Sequence, residues 1–199
     1  MTGDLRIPAG ARGIVLFAHG SGSSRKSSRN RFVASVLNKR AIGTLLFDLL
    51  TLDEEKEDYV TAHLRFNIPL LAGRLRGVTE WLVRRDGDTP IGYFGASTGA
   101  AAALIAAAEL GSKISAVVSR GGRPDLAGRE LQRVVTPTLL IVGGEDHPVI
   151  EMNESAFARL TCEKEMKIIP GATHLFEEPG TLEQAADLAA AWCETHLNA

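Results

Sequence analysis

The sequence predicts an α/β fold, with a mostly parallel sheet covered by helices on both faces. Short apolar runs alternate along the chain with longer segments of helical spacing, which is typical of this fold class. The run at residues 13–18 is bounded by glycine and is almost entirely apolar. Such a run is expected of a strand that is buried on both faces of a parallel sheet.

Six apolar runs predict the main strands, and a seventh predicts a short edge strand. The main strands are expected at residues 13–18, 44–48, 91–94, 114–119, 138–142 and 166–169, and the edge strand at 5–8. Pro90 directly precedes one run, a position that suits the start of a strand. Parallel sheets of this kind bind ligands beyond the carboxyl ends of their strands, so functional residues are expected in the loops that follow these runs.

Five segments between the strands have helical patterns. They cover residues 30–39, 68–83, 97–110, 151–160 and 181–197. The third is dominated by alanine, the strongest helix former, and Thr181 with Gln184 resembles a capping box. No long insertion separates the core strands, so we expect an open, shallow pocket without a cap domain.

Length and composition limit the function classes. The 199 residues, 45% of them hydrophobic, predict one domain over residues 1–199. A net charge of −2 gives no general attraction to nucleic acid or to an anionic membrane. The two cysteines, Cys162 and Cys193, have no metal-binding spacing, and neither a signal peptide nor a membrane span is visible. We therefore expect a cytoplasmic protein without metal, nucleic-acid or membrane partners, as a monomer or homodimer.

The strongest motif is Gly-Ala-Ser-Thr-Gly at residues 95–99. It follows a predicted strand and opens a predicted helix, the context in which a G-x-S-x-G pattern forms a nucleophile elbow. The turn is tight, so small residues are needed around the serine. Ser97 is therefore the candidate nucleophile.

A serine nucleophile needs a base, and the base needs an acid that orients it. Asp146 follows the predicted strand at 138–142, and His174 follows the strand at 166–169. Both lie at the expected edge of the sheet, and the chain order Ser, Asp, His is the order of this motif class. Glu145 and Asp125 are weaker alternatives for the acid.

The oxyanion of an acyl transfer reaction needs two N–H donors. We expect one from Thr98, the residue after the nucleophile, and the other from Ser21 in the glycine-serine loop after the first long strand. Gly20 lets this backbone approach a ligand closely. His19 is expected to hold the loop through a side-chain hydrogen bond. The loop does not match a P-loop, so it gives no indication of nucleotide binding.

On these residues the chain resembles the α/β-hydrolase superfamily, and within it the small, dienelactone-hydrolase-like branch. The matching segments are His-Gly-Ser-Gly at 19–22, the elbow at 95–99, Gly-Gly-Glu-Asp at 143–146 and Gly-Ala-Thr-His at 171–174. The resemblance implies the α/β-hydrolase fold with six or seven strands, a triad of Ser97, Asp146 and His174, and no metal or organic cofactor. Dienelactone hydrolases themselves use cysteine as the nucleophile, so the serine here favours a generic ester as substrate.

Basic residues are concentrated on the predicted active-site side. Arg25, Lys26, Arg29 and Arg31 follow one strand, and Arg120 and Arg123 follow another. Arginine suits carboxylate and phosphate groups, so an anionic ester is one hypothesis, with His19, Gly20 and above all Arg120 as candidate substrate contacts. Equally, these arginines could pair with the acidic residues between positions 48 and 58.

The leading function is thus a serine esterase acting on small-molecule carboxylic esters, thioesters or lactones. An acyltransferase or perhydrolase would use the same acyl-enzyme and differ only in the acceptor. A non-enzymatic binding module of the same fold is the third alternative, and the complete triad argues against it.

Overall fold

The computed structural model describes residues 2–197 and contains one seven-stranded sheet. Its strands are β1 (Gly3–Arg6), β2 (Ile14–Ala18), β3 (Gly43–Phe47), β4 (Ile91–Ala96), β5 (Ile114–Arg120), β6 (Thr138–Gly143) and β7 (Lys164–Ile169). Their spatial order is β1-β3-β2-β4-β5-β6-β7, and only β1 runs antiparallel to its neighbour. The predicted mostly parallel sheet is confirmed, although the edge strand ends at Arg6 rather than Pro8.

Helices cover both faces of this sheet. They are α1 (Ser28–Lys39), α2 (Leu52–Thr61), α3 (Ile68–Asp86), α4 (Thr98–Leu110), α5 (His147–Arg159) and α6 (Thr181–His196). Helices α1 and α6 pack together on one face, and α3, α4 and α5 contribute to the apolar layer on the other. The described part of the chain has no cap domain, as predicted, since the segment between β3 and α3 contains only α2 and one turn of 3₁₀-helix.

The core consists of two apolar layers separated by the sheet. Successive side chains of a strand point to opposite faces, so Leu16 of β2 joins the α3–α4 layer while Phe17 joins the α1–α6 layer. Phe17 packs on Phe94 with ring centroids 4.9 Å apart. Phe17 belongs to β2 and Phe94 to β4, and both of these strands are buried on both faces of the sheet, which explains their apolar sequences.

The N-termini of several helices differ from the sequence prediction: α1 begins at Ser28 rather than residue 30, and α5 begins at His147 rather than residue 151. Helix α6 is preceded by Gly180 without a side-chain cap, and the Thr181 hydroxyl donates to the carbonyl oxygen of Glu178 at 2.7 Å, so the predicted capping box with Gln184 is wrong. A capping box does form at α2, where the Thr51 N–H donates to Glu54 at 2.8 Å and the Glu54 N–H donates back at 3.3 Å. Helix α2 was not predicted.

Within residues 2–197, no helix has both the length and the apolar character to cross a membrane. The same residues contain no cluster of three metal-ligating side chains. Cys162 and Cys193 are free thiols.

Candidate functional site

Ser97 lies at the turn between β4 and α4. Its backbone has φ 50° and ψ −124°, a conformation that residues other than glycine rarely adopt. The Ser97 hydroxyl does not cap α4, although the residue occupies the N-cap position. The strained turn thus presents the hydroxyl beyond the end of the strand, as the elbow motif requires.

Two glycines allow this turn to be so tight. A Cβ atom at Gly99 would lie 2.1 Å from the carbonyl oxygen of Ala18, and one at Gly95 would lie 2.4 Å from the Cα of Ala100. Neither distance is possible for a real side chain. The first turn of α4 can therefore contact β2 only because position 99 carries no side chain, and it can lie so close to the end of β4 only because position 95 carries none.

Asp146 and His174 meet at the carboxyl ends of the neighbouring strands. Asp146 follows β6 at the start of α5, and His174 lies in the loop after β7. The Nδ1 atom of His174 lies 2.7 Å from Oδ2 of Asp146, and the Asp146 side chain is 13% exposed. The bond leaves Nε2 as the free nitrogen of the ring. Glu145, the neighbouring alternative acid, is exposed and does not contact the imidazole.

Ser97 and His174 line the same cavity of about 270 Å³, together with Arg120 and Ser21. The backbone of the elbow is tied to the loop after β5, because the Arg123 N–H donates to the Ser97 carbonyl oxygen at 3.0 Å. No hydrogen bond joins the Ser97 hydroxyl to His174 here, which is common in such sites before substrate binds. The structure thus brings the three predicted triad residues to one edge of the sheet.

The glycine-serine loop after β2 lies directly against the elbow. A Cβ atom at Gly20 would be 2.9 Å from the Cβ of Ser97, so the loop backbone contacts the nucleophile. Ser21 lines the cavity beside Ser97. Thr98 is the first residue of α4, and the first N–H groups of a helix have no acceptor within it. The two N–H groups predicted for the oxyanion thus flank the serine from different elements.

His19 connects the glycine-serine loop to the end of β3. Its Nδ1 lies 3.0 Å from the carbonyl oxygen of Gly20, and its Nε2 lies 3.1 Å from the backbone nitrogen of Leu49. Since Leu49 N–H must donate, Nε2 is the acceptor and Nδ1 carries the proton. Burial lowers the pKa of His19, against smaller opposing effects of the Gly20 carbonyl and the Asp48 charge. The neutral ring therefore holds the loop.

Most of the arginines near the site have carboxylate partners. Arg25 pairs with the buried Asp48, which is the pairing that the sequence left open. Arg29 lies 3.0 Å from Glu177. Arg123 binds both oxygens of Asp125, whereas the carboxylate bonded to the His174 imidazole is that of Asp146.

Arg120 differs from the other arginines. It is 6% exposed, and its buried Nε has no hydrogen-bond partner within residues 2–197. Its guanidinium lies over the ring of Phe176, 5.4 Å from the centroid. Burial, and secondarily the charge of Arg29, lowers the pKa of Arg120 to about 10, so the group is still cationic at neutral pH. The cavity beside Ser97 thus contains a buried cation without a counter-ion in the described chain.

Two features of the site were missed from the sequence. Asn30 of α1 lines the Ser97 cavity and is 2% exposed. Its position on the apolar stripe with Val33 and Leu37 was the available signal, since a polar residue there must be buried. The second feature is a cavity of about 460 Å³ between the glycine-serine loop and α2, which depends on a helix that was not predicted.

Comparison with known proteins identifies relatives with the same fold. The sequence profile of the dienelactone hydrolase family matches residues 69–196. The crystal structure of a dienelactone hydrolase from Anabaena variabilis is 59% identical, with a TM-score of 0.96 over 98% of this chain and 92% of that chain. Est1E from Butyrivibrio proteoclasticus has a TM-score of 0.80 at 16% identity, covering 97% of this chain and 93% of that one, which shows the shared fold.

Two curated relatives come from strains of Mycobacterium tuberculosis and are provisionally named phosphoribosyl transferases. They are 58% identical over 200 residues, which is 99% of this chain. The chain spans only 44% of the length of these relatives. The profile match, the Anabaena structure and the elbow geometry agree, and the chain belongs to the dienelactone hydrolase family, a family of hydrolases with the α/β-hydrolase fold.

Proposed function

We propose that this protein is a serine hydrolase that cleaves carboxylic esters, thioesters or lactones through an acyl-enzyme on Ser97. The observation that carries the proposal is the 2.7 Å bond between His174 and Asp146, at the sheet edge where Ser97 occupies a strained elbow. A base oriented by a carboxylate, beside a hydroxyl left free of helix capping, is the arrangement that activates a serine.

The reaction would follow from this geometry. Asp146 keeps the proton on Nδ1 of His174, so Nε2 can accept the Ser97 proton as the hydroxyl oxygen attacks the carbonyl carbon. The N–H groups of Thr98 and Ser21 stabilise the negative charge that develops on the carbonyl oxygen. His174 then protonates the leaving alcohol or thiol, and water hydrolyses the acyl-enzyme by the same route in reverse.

The cavity also supports an anionic substrate. Arg120 is buried beside Ser97 with its Nε unpartnered, and none of the residues that line this cavity is acidic. Leaving a buried charge without a partner is costly, whereas a substrate anion would compensate it. We therefore assign Arg120 to substrate recognition and His19 to holding the oxyanion loop, with Gly20 as the close-approach position.

The provisional name of the mycobacterial relatives does not change this proposal. Those proteins are more than twice as long as the segment that matches this chain, because the match covers 44% of them. The matching segment corresponds to 99% of this chain. We place any phosphoribosyl transfer in the part of those proteins that lies outside the match.

The proposal is tested by intact-mass spectrometry after incubation with a fluorophosphonate probe. We expect a single adduct on the wild-type protein and none on Ser97→Ala. Ser119→Ala is the matched control, since Ser119 is a fully buried serine at the end of β5 and is expected to leave labelling unchanged. Hydrolysis of p-nitrophenyl acetate should be lost in Ser97→Ala and retained in Ser119→Ala. A folded wild-type protein that neither reacts with the probe nor hydrolyses the ester would overturn the proposal.

A further inference from the structure

The cavity beside Ser97 contains a second buried polar side chain besides Arg120. Asn30 is 2% exposed, and its amide oxygen has no hydrogen-bond partner within residues 2–197. Rotation about the Cβ–Cγ bond lets the same amide present its NH₂ group instead. Arg120 and Asn30 thus line one cavity, and each has one buried atom without a protein partner, which a bound ligand would supply.

The N-terminus of α1 opens into the same cavity. Ser27, the N-cap residue, lines it together with Arg29 and Asn30. The Ser27 hydroxyl accepts from the Asn30 N–H at 3.3 Å, so the N–H groups of Ser28 and Arg29 are left without an acceptor in the helix. Helix N-termini favour anions, because the free N–H groups and the helix dipole act together.

The donors around this cavity match a phosphate group. Arg120 and Arg29 supply guanidinium groups, Ser23 and Ser27 supply hydroxyl groups, and Asn30 supplies an NH₂ group once its amide is rotated. A planar carboxylate has two oxygens and would use only part of this set, whereas a phosphate monoester has three terminal oxygens with which to accept from several directions. The Glu177 carboxylate that pairs with Arg29 is 63% exposed, so a ligand could compete for this arginine.

We propose that the substrate carries a phosphate group, which binds between Arg120, Asn30 and the first turn of α1 while its ester carbonyl lies at Ser97. This inference rests on the proposed hydrolase function for the reaction but not for the binding. The phosphate group selects the substrate and takes no part in the chemistry. Asn30 and Arg29 are thereby specificity residues of this site.

The binding step is tested first, with inorganic phosphate as the probe. Isothermal titration calorimetry on the wild-type protein should show saturable phosphate binding in a buffer whose ionic strength is fixed with chloride. Arg120→Gln and Arg29→Gln should each weaken it about tenfold or more, since each removes charge-assisted hydrogen bonds. Arg31→Gln is the matched control, because Arg31 lies exposed on the same helix outside the cavity and its loss changes the net charge equally.

The selectivity step uses three p-nitrophenyl esters, of 3-phosphonopropionic, succinic and butyric acid. We expect kcat/KM for the phosphono ester to exceed that for the other two esters about tenfold or more in the wild type. Arg29→Gln should remove this preference, whereas the control Arg31→Gln should keep both the preference and the hydrolysis of the butyrate ester. Equal rates for the three esters, or a preference for the succinate ester, would overturn the phosphate assignment.

The two proposals fail in distinguishable ways. Loss of phosphate binding in Arg120→Gln is counted only if this variant keeps the wild-type thermal unfolding transition, and Arg29→Gln provides the same test at a half-buried position. Phosphate binding without any ester hydrolysis would contradict the hydrolase proposal alone. Ester hydrolysis without phosphate binding would contradict the phosphate site alone.

Discussion

Arg123 holds Asp125 through two hydrogen bonds, from Nε to Oδ1 at 2.9 Å and from Nη2 to Oδ2 at 2.8 Å. This pair takes up the carboxylate that otherwise competes with Asp146 for the role of triad acid. The pair also stabilises the loop after β5, in which the backbone N–H of Arg123 donates to the Ser97 carbonyl oxygen.

The two aspartates are therefore expected to respond very differently to the same substitution. Asp146→Asn should lower kcat for p-nitrophenyl acetate by about 10⁴-fold, because the His174 tautomer is no longer fixed. Asp125→Asn keeps the triad intact and should change kcat less than about threefold, at the level of a lost surface ion pair. Steady-state kinetics on both variants distinguishes them, and a larger loss in Asp125→Asn would contradict the assignment.

The backbone conformation at position 97 should be strained whenever the residue there carries a side chain. We expect Ser97→Gly to have a free energy of unfolding about 1 kcal/mol or more above that of Ser97→Ala, because glycine adopts a positive φ without strain. Both variants lack the hydroxyl, so the comparison isolates the backbone. Urea denaturation followed by circular dichroism measures it, and equal stability would show that the elbow is relaxed.

Close packing of α4 against β2 predicts a large effect at Gly99. Gly99→Ala should lower the free energy of unfolding by about 3 kcal/mol or more, since its Cβ would lie 2.1 Å from the Ala18 carbonyl oxygen. Gly73 of α3 is the control, as a Cβ there meets nothing within 4 Å. Gly73→Ala should stabilise the protein by about 0.5–1 kcal/mol in the same denaturation assay.

His19 should make stability depend on pH. Its folded pKa lies below the ordinary value of 6.5, so the unfolded chain binds the proton more tightly than the native protein does. The stability it contributes is complete above about pH 6.5, falls as the pH drops through that value, and levels off below the folded pKa. Urea denaturation at pH 7, 6 and 5 should show a smaller loss of stability in His19→Gln than in the wild type. The exposed His63, replaced by Gln, serves as control, and an unchanged slope in His19→Gln would contradict the prediction.

The parallel strands and the elbow could be predicted because their signals are local. Uninterrupted apolar runs mark strands covered on both faces, and the small residues around Ser97 are a steric requirement of one turn. The site positions of Asp146 and His174 could be predicted because each residue follows a strand, and the carboxyl ends of parallel strands lie at one edge of the sheet. Helix α2 could not be predicted, because its only buried residue is Asp58 and its apolar periodicity is weak.

The partners of the arginines were beyond sequence reasoning for a different reason. Arg29 pairs with Glu177, which is 148 residues away, while Arg120 has no carboxylate partner in the described chain. Nothing in the local sequence distinguishes these two arginines, because their ion pairs depend on which loops lie close together in the folded protein. Asn30 could not be identified as a site residue for the same reason, since its place in the lining of the Ser97 cavity depends on how α1 packs in the fold.

The glycine-serine loop separates two cavities, and Gly20, Ser21, Ser23 and Ser27 line both of them. Inhibitor design can use this shared wall. A phosphate-mimicking fragment for the smaller cavity and a partly apolar fragment for the larger one, in contact with Leu49 and Leu71, could be joined across Ser21. The second fragment would then bind at an effective concentration set by the linker, so two weak ligands would give one tight and selective compound.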